Sequence, residues 1–182
     1  MKIVSTAIPD VRIIEPRVFG DHRGFFLESW NRRQFAEAGL DLDFVQDNHS
    51  RSGQGTLRGL HYQIEQAQGK LVRVTSGVVL DVAVDLRRRS PTFGRWVGVE
   101  LSDRNHRMLW VPAGFAHGFL VRSDSADFQY KCTDYYAPEY ERCIRWDDPD
   151  LGIDWALPEG VEPVLSSKDR AGLAFRDAEV YE

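Results

Sequence analysis

Apolar and polar residues alternate along much of this chain, most clearly in residues 78–87, VVLDVAVDLR. Alternation with a period of two is typical of a β-strand whose two faces meet different surroundings. One face would carry Leu80, Val82, Val84 and Leu86, and the other Asp81, Ala83 and Asp85. We expect the aspartates to face solvent on an antiparallel sheet; the alternative is that they point inward at the mouth of a barrel.

Other short segments of this kind follow one another, separated by turn residues, and together they predict a β-sandwich or barrel. They are KLVRVTS, RWVGVEL, HRMLWVP, HGFLVRS, ADFQYKCTDYY and ERCIRW. A helix is predicted in NRRQFAEAGL, with Asn31 as N-cap, Phe35 and Ala38 on one face and Gly39 as terminator. From Asp147 on, Pro, Asp and Gly are frequent, which predicts loops and short helical turns around the barrel. We expect residues 1–182 to form a single domain.

Composition narrows the possible functions. Aromatic residues make up 12% of the 182 residues, a share that suits packed sheets. The net charge of −5 argues against a general nucleic-acid binder. Cys132 and Cys143 do not form a disulfide framework, so we expect buried, reduced thiols. The first residues, MKIVSTAIPD, do not resemble a signal peptide, and no apolar stretch reaches the roughly 20 residues of a membrane span. We therefore expect a cytoplasmic protein without a membrane partner.

The segment TLRGLHYQIEQAQGK holds Arg58, His61 and Lys70 within fifteen residues. One interpretation is a surface hairpin with scattered polar side chains. The other is an active site in which His61 removes a proton and cations hold the resulting negative charge.

A second segment, VPAGFAHGF, contains the pattern P-x-G-x-x-H ending at His117. This pattern resembles the second motif of the cupin barrels, in which the histidine binds a metal. The first cupin motif requires H-x-H, but LHYQIE has Gln63 in place of the second histidine. An amide oxygen is a poor ligand for zinc or iron compared with imidazole. We therefore expect no metal and a site that works through its side chains.

Seven segments, in order and at similar spacing, resemble the dTDP-4-dehydrorhamnose 3,5-epimerase family. They are PRVFGDHRGFFLESWN, FVQDNHSRS, LRGLHYQ, QGKLVRV, VPAGFAHGF, YKCTDYYAPEYE and LSSKDR. The resemblance implies a mainly β fold, a cupin-like β-sandwich or jelly-roll barrel with a few short helices. It also implies a homodimer without cofactor that inverts C3 and C5 of a dTDP-4-keto-6-deoxy sugar.

The resemblance assigns roles that suit this chemistry. His61 matches the base, because removing a proton beside the C4 ketone gives an enolate and imidazole titrates near neutral pH. Asp169 matches the carboxylate that holds this histidine, and Lys70 matches the cation near the enolate oxygen. Tyr130 matches the acid that returns a proton from the opposite face.

Other positions match groups that bind substrate. Arg23 and Arg58 match residues that engage the diphosphate and sugar, which suits the donors of guanidinium. The remaining matches are Glu28, Gln46, Asp47, Asn48, His117, Glu141 and Lys168. We expect the run Arg87 to Arg89 to be a solvated strand end, and Tyr135 and Tyr136 to be packed aromatics.

Two alternatives remain open. A 3-epimerase or 5-epimerase of a related dTDP-keto sugar would share the base and most of the motifs. A cupin that binds a sugar nucleotide without catalysis is a second possibility, disfavoured because binding alone has no need of both an acid and a base. A metal-dependent cupin oxygenase is disfavoured by Gln63.

Overall fold

The computed structural model describes residues 1–157 and 161–182. Its strands are, in chain order, β1 (Lys2–Ser5), β2 (Arg12–Glu15), β3 (Val18–Asp21), β4 (Gly24–Leu27), β5 (Gln46–Gly53), β6 (Leu57–Gln63), β7 (Lys70–Ser76), β8 (Val78–Asp85), β9 (Trp96–Ser102), β10 (Met108–Val111), β11 (Phe115–Val121), β12 (Ser125–Cys132) and β13 (Glu141–Cys143). The helices are α1 (Arg32–Glu37) and α2 (Ser167–Arg170), with 3-10 turns at Pro138–Tyr140 and Phe175–Asp177.

Two antiparallel sheets face each other. The six-stranded sheet has the order β1-β2-β10-β7-β12-β5, and the five-stranded sheet has the order β13-β6-β11-β8-β9. Strands β3 and β4 pair separately as a hairpin. The predicted mainly β, cupin-like sandwich with a few short helices is confirmed. Among the described helices, none is long and apolar enough to cross a membrane.

The main core lies between the sheets. Val72 and Phe128 of the six-stranded sheet belong to one buried cluster with Ala83, Val97 and Phe119 of the five-stranded sheet. Phe119 and Phe128 stack with their ring centroids 4.1 Å apart. Burial of aromatic and aliphatic side chains on this scale is the main stabilising contribution to such a sandwich.

Each sheet is also covered on its outer face. On the six-stranded sheet, Leu71 and Trp110 pack with Phe35 of α1. On the five-stranded sheet, a cluster that includes Val82 and Leu120 packs against the C-terminal part of the chain, for example Trp155. The C-terminal loops and short helical turns that the sequence predicts are therefore confirmed, and they close one side of the sandwich.

The alternation in β8 is confirmed, but the expectation that its aspartates face solvent is wrong. Asp81 and Asp85 are both 0% exposed, because both faces of β8 are covered. The carboxylate of Asp85 accepts hydrogen bonds from the side chains of Arg87, Ser90 and Thr92. Arg87 is thus an ion-paired residue rather than part of a solvated strand end, whereas Arg88 and Arg89 are exposed.

The predicted helix is confirmed as α1. The Asn31 side chain caps it by accepting a hydrogen bond from the Gln34 amide, and Phe35 is buried. Gly39, just beyond the helix, has a φ of +84°, a left-handed conformation that glycine adopts without a steric penalty.

Candidate active site

Strand β6 places His61 between two neighbouring strands. His61 is opposite His117 of β11 on one side and Cys143 of β13 on the other. His117 is buried and its ring lies 6.1 Å from that of Phe128 in the other sheet, so this face of β6 points into the sandwich. Side chains directly opposite each other project from the same face of a sheet. His61 is therefore an interior side chain, and only 27% of it is exposed.

The approach of β6 to β11 depends on two glycines beside His61. Gly59 has a φ of +135°, and a Cβ there would lie 2.5 Å from the Cα of Gly118. A Cβ on Gly118 would in turn lie 2.8 Å from the carbonyl oxygen of Arg58. No larger residue fits either place without moving the backbone, so these glycines fix the position of the strand that carries His61.

Asp169 contacts His61 from the C-terminal part of the chain. Its Oδ1 lies 2.7 Å from His61 Nε2, a close charge contact rather than a straight hydrogen bond. Asp169 also accepts hydrogen bonds from the amides of Gly59 and Ser166, and Ser166 forms a capping box with it at the start of α2. Burial alone would raise the pKa of Asp169, but the close contact with His61 and the hydrogen bonds from Ser166 and Gly59 hold it well below its usual value. The carboxylate is thus ionised beside the imidazole, and Nδ1 is the ring nitrogen left to accept a proton.

His61, Asp169 and Cys143 also form the one cluster of metal-ligating side chains found among the described residues. Its donor atoms lie within 4.8 Å of one another. Two ligands of a tetrahedral zinc, each roughly 2 Å from the ion, would lie more than 3 Å apart. The 2.7 Å contact between His61 and Asp169 is shorter than that. Burial also raises the pKa of Cys143 to about 12, which keeps its thiol protonated. These donors suit a histidine–carboxylate pair better than a metal shell.

Lys70 begins β7, in the opposite sheet, and pairs with Cys132 of β12. Burial lowers the pKa of its ammonium group, and the charges of Glu141 and Asp81 oppose that change. A buried ammonium group is poorly hydrated, so it interacts strongly with any negative charge that forms beside it. Lys70 can therefore stabilise an oxyanion in this interior.

Tyr130 lies on β12, two residues before Cys132 and on the same face. It packs against the core cluster between the sheets, with its ring centroid 6.0 Å from that of Phe128. Burial raises the pKa of its phenol, and the charge of Arg58 opposes this change. The phenol thus keeps its proton at neutral pH. Because Tyr130 and His61 come from facing sheets, they approach the interior from opposite sides.

Glu141, the first residue of β13, brings a carboxylate near these residues. Glu141 Oε2 accepts hydrogen bonds from Tyr136, at 2.7 Å, and from Lys168. Burial would raise the pKa of Glu141, but Lys168, Tyr136 and the charge of His61 lower it. The same carboxylate is within electrostatic range of Lys70 and Tyr130. Tyr136 was expected to be a packed aromatic, but it is 51% exposed, and Tyr135 is 61% exposed, so that expectation is wrong.

The predicted substrate-binding residues on the strands divide between two faces. Arg58 lies on β6, where its Nε donates a hydrogen bond to Ser52 Oγ at 3.0 Å. Gln46 and Asn48 pair with Cys132 and Tyr130 and share their face of the sheet. Asp47, one residue between them, points the opposite way and contacts Lys131 Nζ at 2.9 Å. The structure therefore does not bring Asp47 to the other candidates.

Arg23 and Glu28 lie on and just after the β3–β4 hairpin. Arg23 pairs with Asp21 and is largely exposed, and Glu28 accepts hydrogen bonds from Asn31 and Gln34. Their recorded contacts are thus with residues near them in the sequence, and the structure does not bring them to His61 within one chain.

Comparisons with known proteins identify the family to which this chain is similar. A family model described as dTDP-4-dehydrorhamnose 3,5-epimerase matches residues 5–177. A protein of that name from Pseudomonas aeruginosa is 65% identical over 182 residues, which cover 100% of this chain and 99% of the relative. The chain belongs to the dTDP-4-dehydrorhamnose 3,5-epimerase family.

Solved structures of this family agree with the fold. A dTDP-6-deoxy-D-glucose-3,5-epimerase from Legionella pneumophila in complex with dTDP-4-keto-L-rhamnose is 55% identical, with a TM-score of 0.94 over 98% of this chain and 94% of that one. A 3′-monoepimerase from Streptomyces bikiniensis in complex with dTDP-quinovose is 37% identical, with a TM-score of 0.87 over 94% of this chain and 87% of that one. Both classes of epimerase thus share this architecture.

Sequence reasoning missed some polar residues of the epimerase site. The alternation of β8 predicts a solvent-facing carboxylate at Asp81, but Asp81 is buried and its two oxygens lie 2.9 and 3.0 Å from His117 Nε2. Tyr136, expected to be a packed aromatic, instead donates a hydrogen bond to Glu141. Gln63, which stands where a cupin metal ligand would be, has a structural role. Its side-chain NH₂ group donates hydrogen bonds to the carbonyl oxygens of Gln66 and Tyr135, and its side-chain oxygen accepts one from the Ala137 amide.

Asp81 is buried because it points into the sandwich, on the same face as Ala83, while Val82 and Val84 point to the outer face, which the C-terminal part of the chain covers. Local alternation does not reveal that both faces are buried.

Proposed function

We propose that this protein is a dTDP-4-dehydrorhamnose 3,5-epimerase, which inverts C3 and C5 of dTDP-4-dehydro-6-deoxy-D-glucose to give dTDP-4-dehydro-L-rhamnose. The observation that carries the proposal is the His61–Asp169 contact in the interior, with Lys70 and Tyr130 supplied by the facing sheet. Family membership and the names of its full-length relatives support the same reaction.

In the proposed reaction, His61 removes the proton from a carbon beside the C4 ketone. The electron pair of the broken C–H bond forms an enolate whose charge lies on O4. The ionised Asp169 stabilises the imidazolium that results and holds the orientation of the ring. Lys70 supplies positive charge to the enolate oxygen, and fixed charge placed where negative charge develops is usually the largest catalytic contribution.

Inversion requires the new proton to arrive on the other face of the sugar ring. Tyr130 suits this part, because it comes from the sheet opposite His61 and burial keeps its phenol protonated. The phenol gives its proton to carbon as the enolate collapses to the ketone. Before the second carbon reacts, His61 must release its proton to water and Tyr130 must take one up, so that the same base and acid are restored. No cofactor is needed for either inversion.

The diphosphate of the substrate is negatively charged, so its site is expected to contain cationic side chains. Arg58, held by Ser52, and Lys168, beside Glu141, are candidates for the diphosphate and sugar oxygens, with Gln46, Asn48 and His117 as further polar contacts. Guanidinium binds diphosphate oxygens through two parallel hydrogen bonds. Arg23, Glu28 and Asp47 stay predictions as substrate contacts.

We further propose that residues 1–182 form one domain that works as a cytoplasmic homodimer. Support for the dimer comes from the β3–β4 hairpin, on which Phe19, Phe25 and Phe26 are 49%, 60% and 66% exposed. A cluster of exposed aromatic rings is more typical of an interface than of a solvated hairpin. Sedimentation at assay concentration should give a dimer; a fully active monomer would contradict this part.

A second candidate is a single-carbon epimerase, favoured by the likeness to the 3′-monoepimerase. One experiment separates the candidates. The protein is incubated with dTDP-4-keto-6-deoxyglucose in heavy water, and deuterium and configuration are located by NMR. Deuterium with inversion at C3 and C5 supports the proposal, and inversion at one carbon supports the second candidate. His61→Ala should abolish exchange at both carbons; exchange near the wild-type rate would place the base elsewhere.

A further inference from the structure

The Gln63 side chain is buried beside the candidate active site, and both ends of its amide are bonded within the protein. Gln63 ends β6, two residues after His61 and on the same face, and it is 5% exposed. Its NH₂ group donates to the carbonyl oxygens of Gln66, at 2.8 Å, and Tyr135, at 3.2 Å. Its oxygen accepts from the Ala137 amide at 3.0 Å. The two donor hydrogens and the acceptor oxygen of this amide are thus all in use.

Two of these three hydrogen bonds lie on either side of Tyr136. The Tyr135 carbonyl precedes it and the Ala137 amide follows it, and the structure records Gln63 as the hydrogen-bond partner of both. The Tyr136 amide itself donates to Gln46 Oε1 at 3.0 Å. This segment belongs to no helix or strand, so its backbone groups need other partners. One side chain from each sheet therefore fixes the backbone of Tyr136, although the residue is 51% exposed.

The position of Tyr136 sets the side chains of two predicted substrate contacts. Its phenol donates to Glu141 Oε2 at 2.7 Å, and Lys168 donates to the same oxygen. Its amide occupies Oε1 of Gln46, whose NH₂ group donates to Asn48 Oδ1 at 3.1 Å. Glu141 and Gln46 come from different sheets, and Tyr136 is bonded to both of them. A displacement of Tyr136 would therefore move both side chains.

We propose that Gln63 is a positioning residue of the epimerase, which holds residues 135–137 so that Tyr136 orients Gln46 and Glu141 toward the substrate. This inference rests on the proposed function. The residue type suits the task, because the three partners are two carbonyl oxygens and one amide hydrogen. An ionised carboxylate offers no donor, and a neutral imidazole offers one donor and one acceptor. A side-chain amide matches all three partners.

The test is the change in KM when Gln63 is replaced by methionine. Methionine is unbranched and similarly long, but it has no donor and only a weak acceptor. Without the three hydrogen bonds Tyr136 is held less firmly, so the substrate contacts that it orients are weakened. We expect KM to rise about three- to tenfold, the effect of roughly one lost hydrogen bond, with kcat within about twofold of the wild-type value.

A double-mutant cycle shows whether Gln63 acts through Tyr136. Tyr136→Phe removes the phenol hydroxyl that bonds Glu141 and should raise KM by itself. If Gln63 acts through Tyr136, the two substitutions together should raise KM by less than the product of their separate factors. A purely structural role of Gln63 would leave the two effects independent.

Tyr62→Phe is the matched control for stability. Tyr62 lies on the outer face of the same strand, is 4% exposed, and donates its hydroxyl hydrogen to the Glu179 carbonyl. The substitution should lower the melting temperature and leave KM unchanged. If Gln63→Met does not fold, Gln63→Glu takes its place: it keeps the length and the acceptor for Ala137, but when ionised it has no donor, so KM should again rise.

Each outcome has one meaning. An inactive wild-type protein would overturn the proposed function. An active wild type whose folded Gln63 variant keeps the wild-type KM would overturn the role of Gln63 alone. A rise in the double variant equal to the product of the two separate factors, or an equal rise in Tyr62→Phe, would also overturn it.

Discussion

Replacing Asp169 by asparagine should disable the base while leaving the sandwich folded. The carboxylate contributes a contact of 2.7 Å to His61 Nε2 and is 3% exposed, so water does not take its place. An interaction with a charged group of this kind contributes about 1.5–3 kcal/mol. If that contribution is made mainly to the imidazolium formed in the reaction, its loss lowers kcat by about 10- to 150-fold. KM should stay close to the wild-type value, because Asp169 is held by the protein and not by the substrate.

The amide has a second effect that follows from the hydrogen bonds of Asp169. One carboxylate oxygen faces the Gly59 amide and His61, and the other faces Ser166. All of these positions offer donors, so an NH₂ group on either side leaves a buried donor without an acceptor. That costs about 1–3 kcal/mol of the free energy of unfolding. If the NH₂ group faces His61, it also forces Nε2 to accept and puts the proton on Nδ1, where it blocks the base.

The assay measures kcat, KM and melting temperature together, with turnover followed by NMR. Asp148→Asn is the control, since Asp148 is 2% exposed and accepts hydrogen bonds from the backbone amides of Asp150, Leu151 and Phe175, and not from His61. It should lower the melting temperature but not kcat. Wild-type turnover in a folded Asp169→Asn variant would refute the reasoning, because the contact would then be a structural one.

Three further predictions test other parts of the site. Tyr130→Phe should incorporate deuterium from heavy water with little inversion, since the enolate still forms but is reprotonated only from the His61 side; NMR showing inversion of both carbons at the normal rate would assign the acid to another group. Exhaustive chelation should leave kcat unchanged, because the donor set at His61 does not suit a metal, and a loss of activity restored by zinc or iron would contradict this. Burial opposes ionisation of Asp85, but hydrogen bonds from Arg87, Ser90 and Thr92 lower its pKa to about 2, so its contribution of roughly 2–3 kcal/mol is present above pH 4 and is lost as the pH falls toward 2. Asp85→Asn should therefore flatten the dependence of melting temperature on pH between pH 4 and 2, and an unchanged slope would rule out this source of acid sensitivity.

The elements could be predicted from the sequence where the signal is local. The cap of α1 at Asn31 and the strands β7 to β12 follow from short-range patterns. Whether a polar side chain on a strand faces solvent or the interior could be predicted only in part. Asp81 and Asp85 alternate with aliphatic residues like side chains on a solvated face, but they point into the sandwich, and the aliphatic residues of β8 point outward, where the C-terminal part of the chain covers them. Burial on both faces depends on residues distant in the sequence.

The candidate site shows the same limit. The pairing of His61 with Asp169 was expected from family resemblance and not from spacing, and the structure places the two in contact. The partner of His117 was not expected at all, because nothing near VPAGFAHGF points to a residue 36 positions earlier. Asp47 shows what motif matching does not convey: of three adjacent matched residues, Gln46 and Asn48 share a face, and Asp47 between them points the other way within this chain.

The capping box at Ser166 and Asp169 has a consequence for synthesis of the chain. Gly59 and Asp169 are 110 residues apart and meet through a single hydrogen bond, so the base acquires its carboxylate only when the end of the chain docks. A protein is synthesised from its N-terminus, and all the strands of both sheets have been made before Ser166 is added to the chain. A nascent or truncated chain that ends before Ser166 could therefore hold its sugar-binding interior and still lack a competent base. Epimerase activity would in that case report on completion of the polypeptide, and not merely on folding of the sandwich.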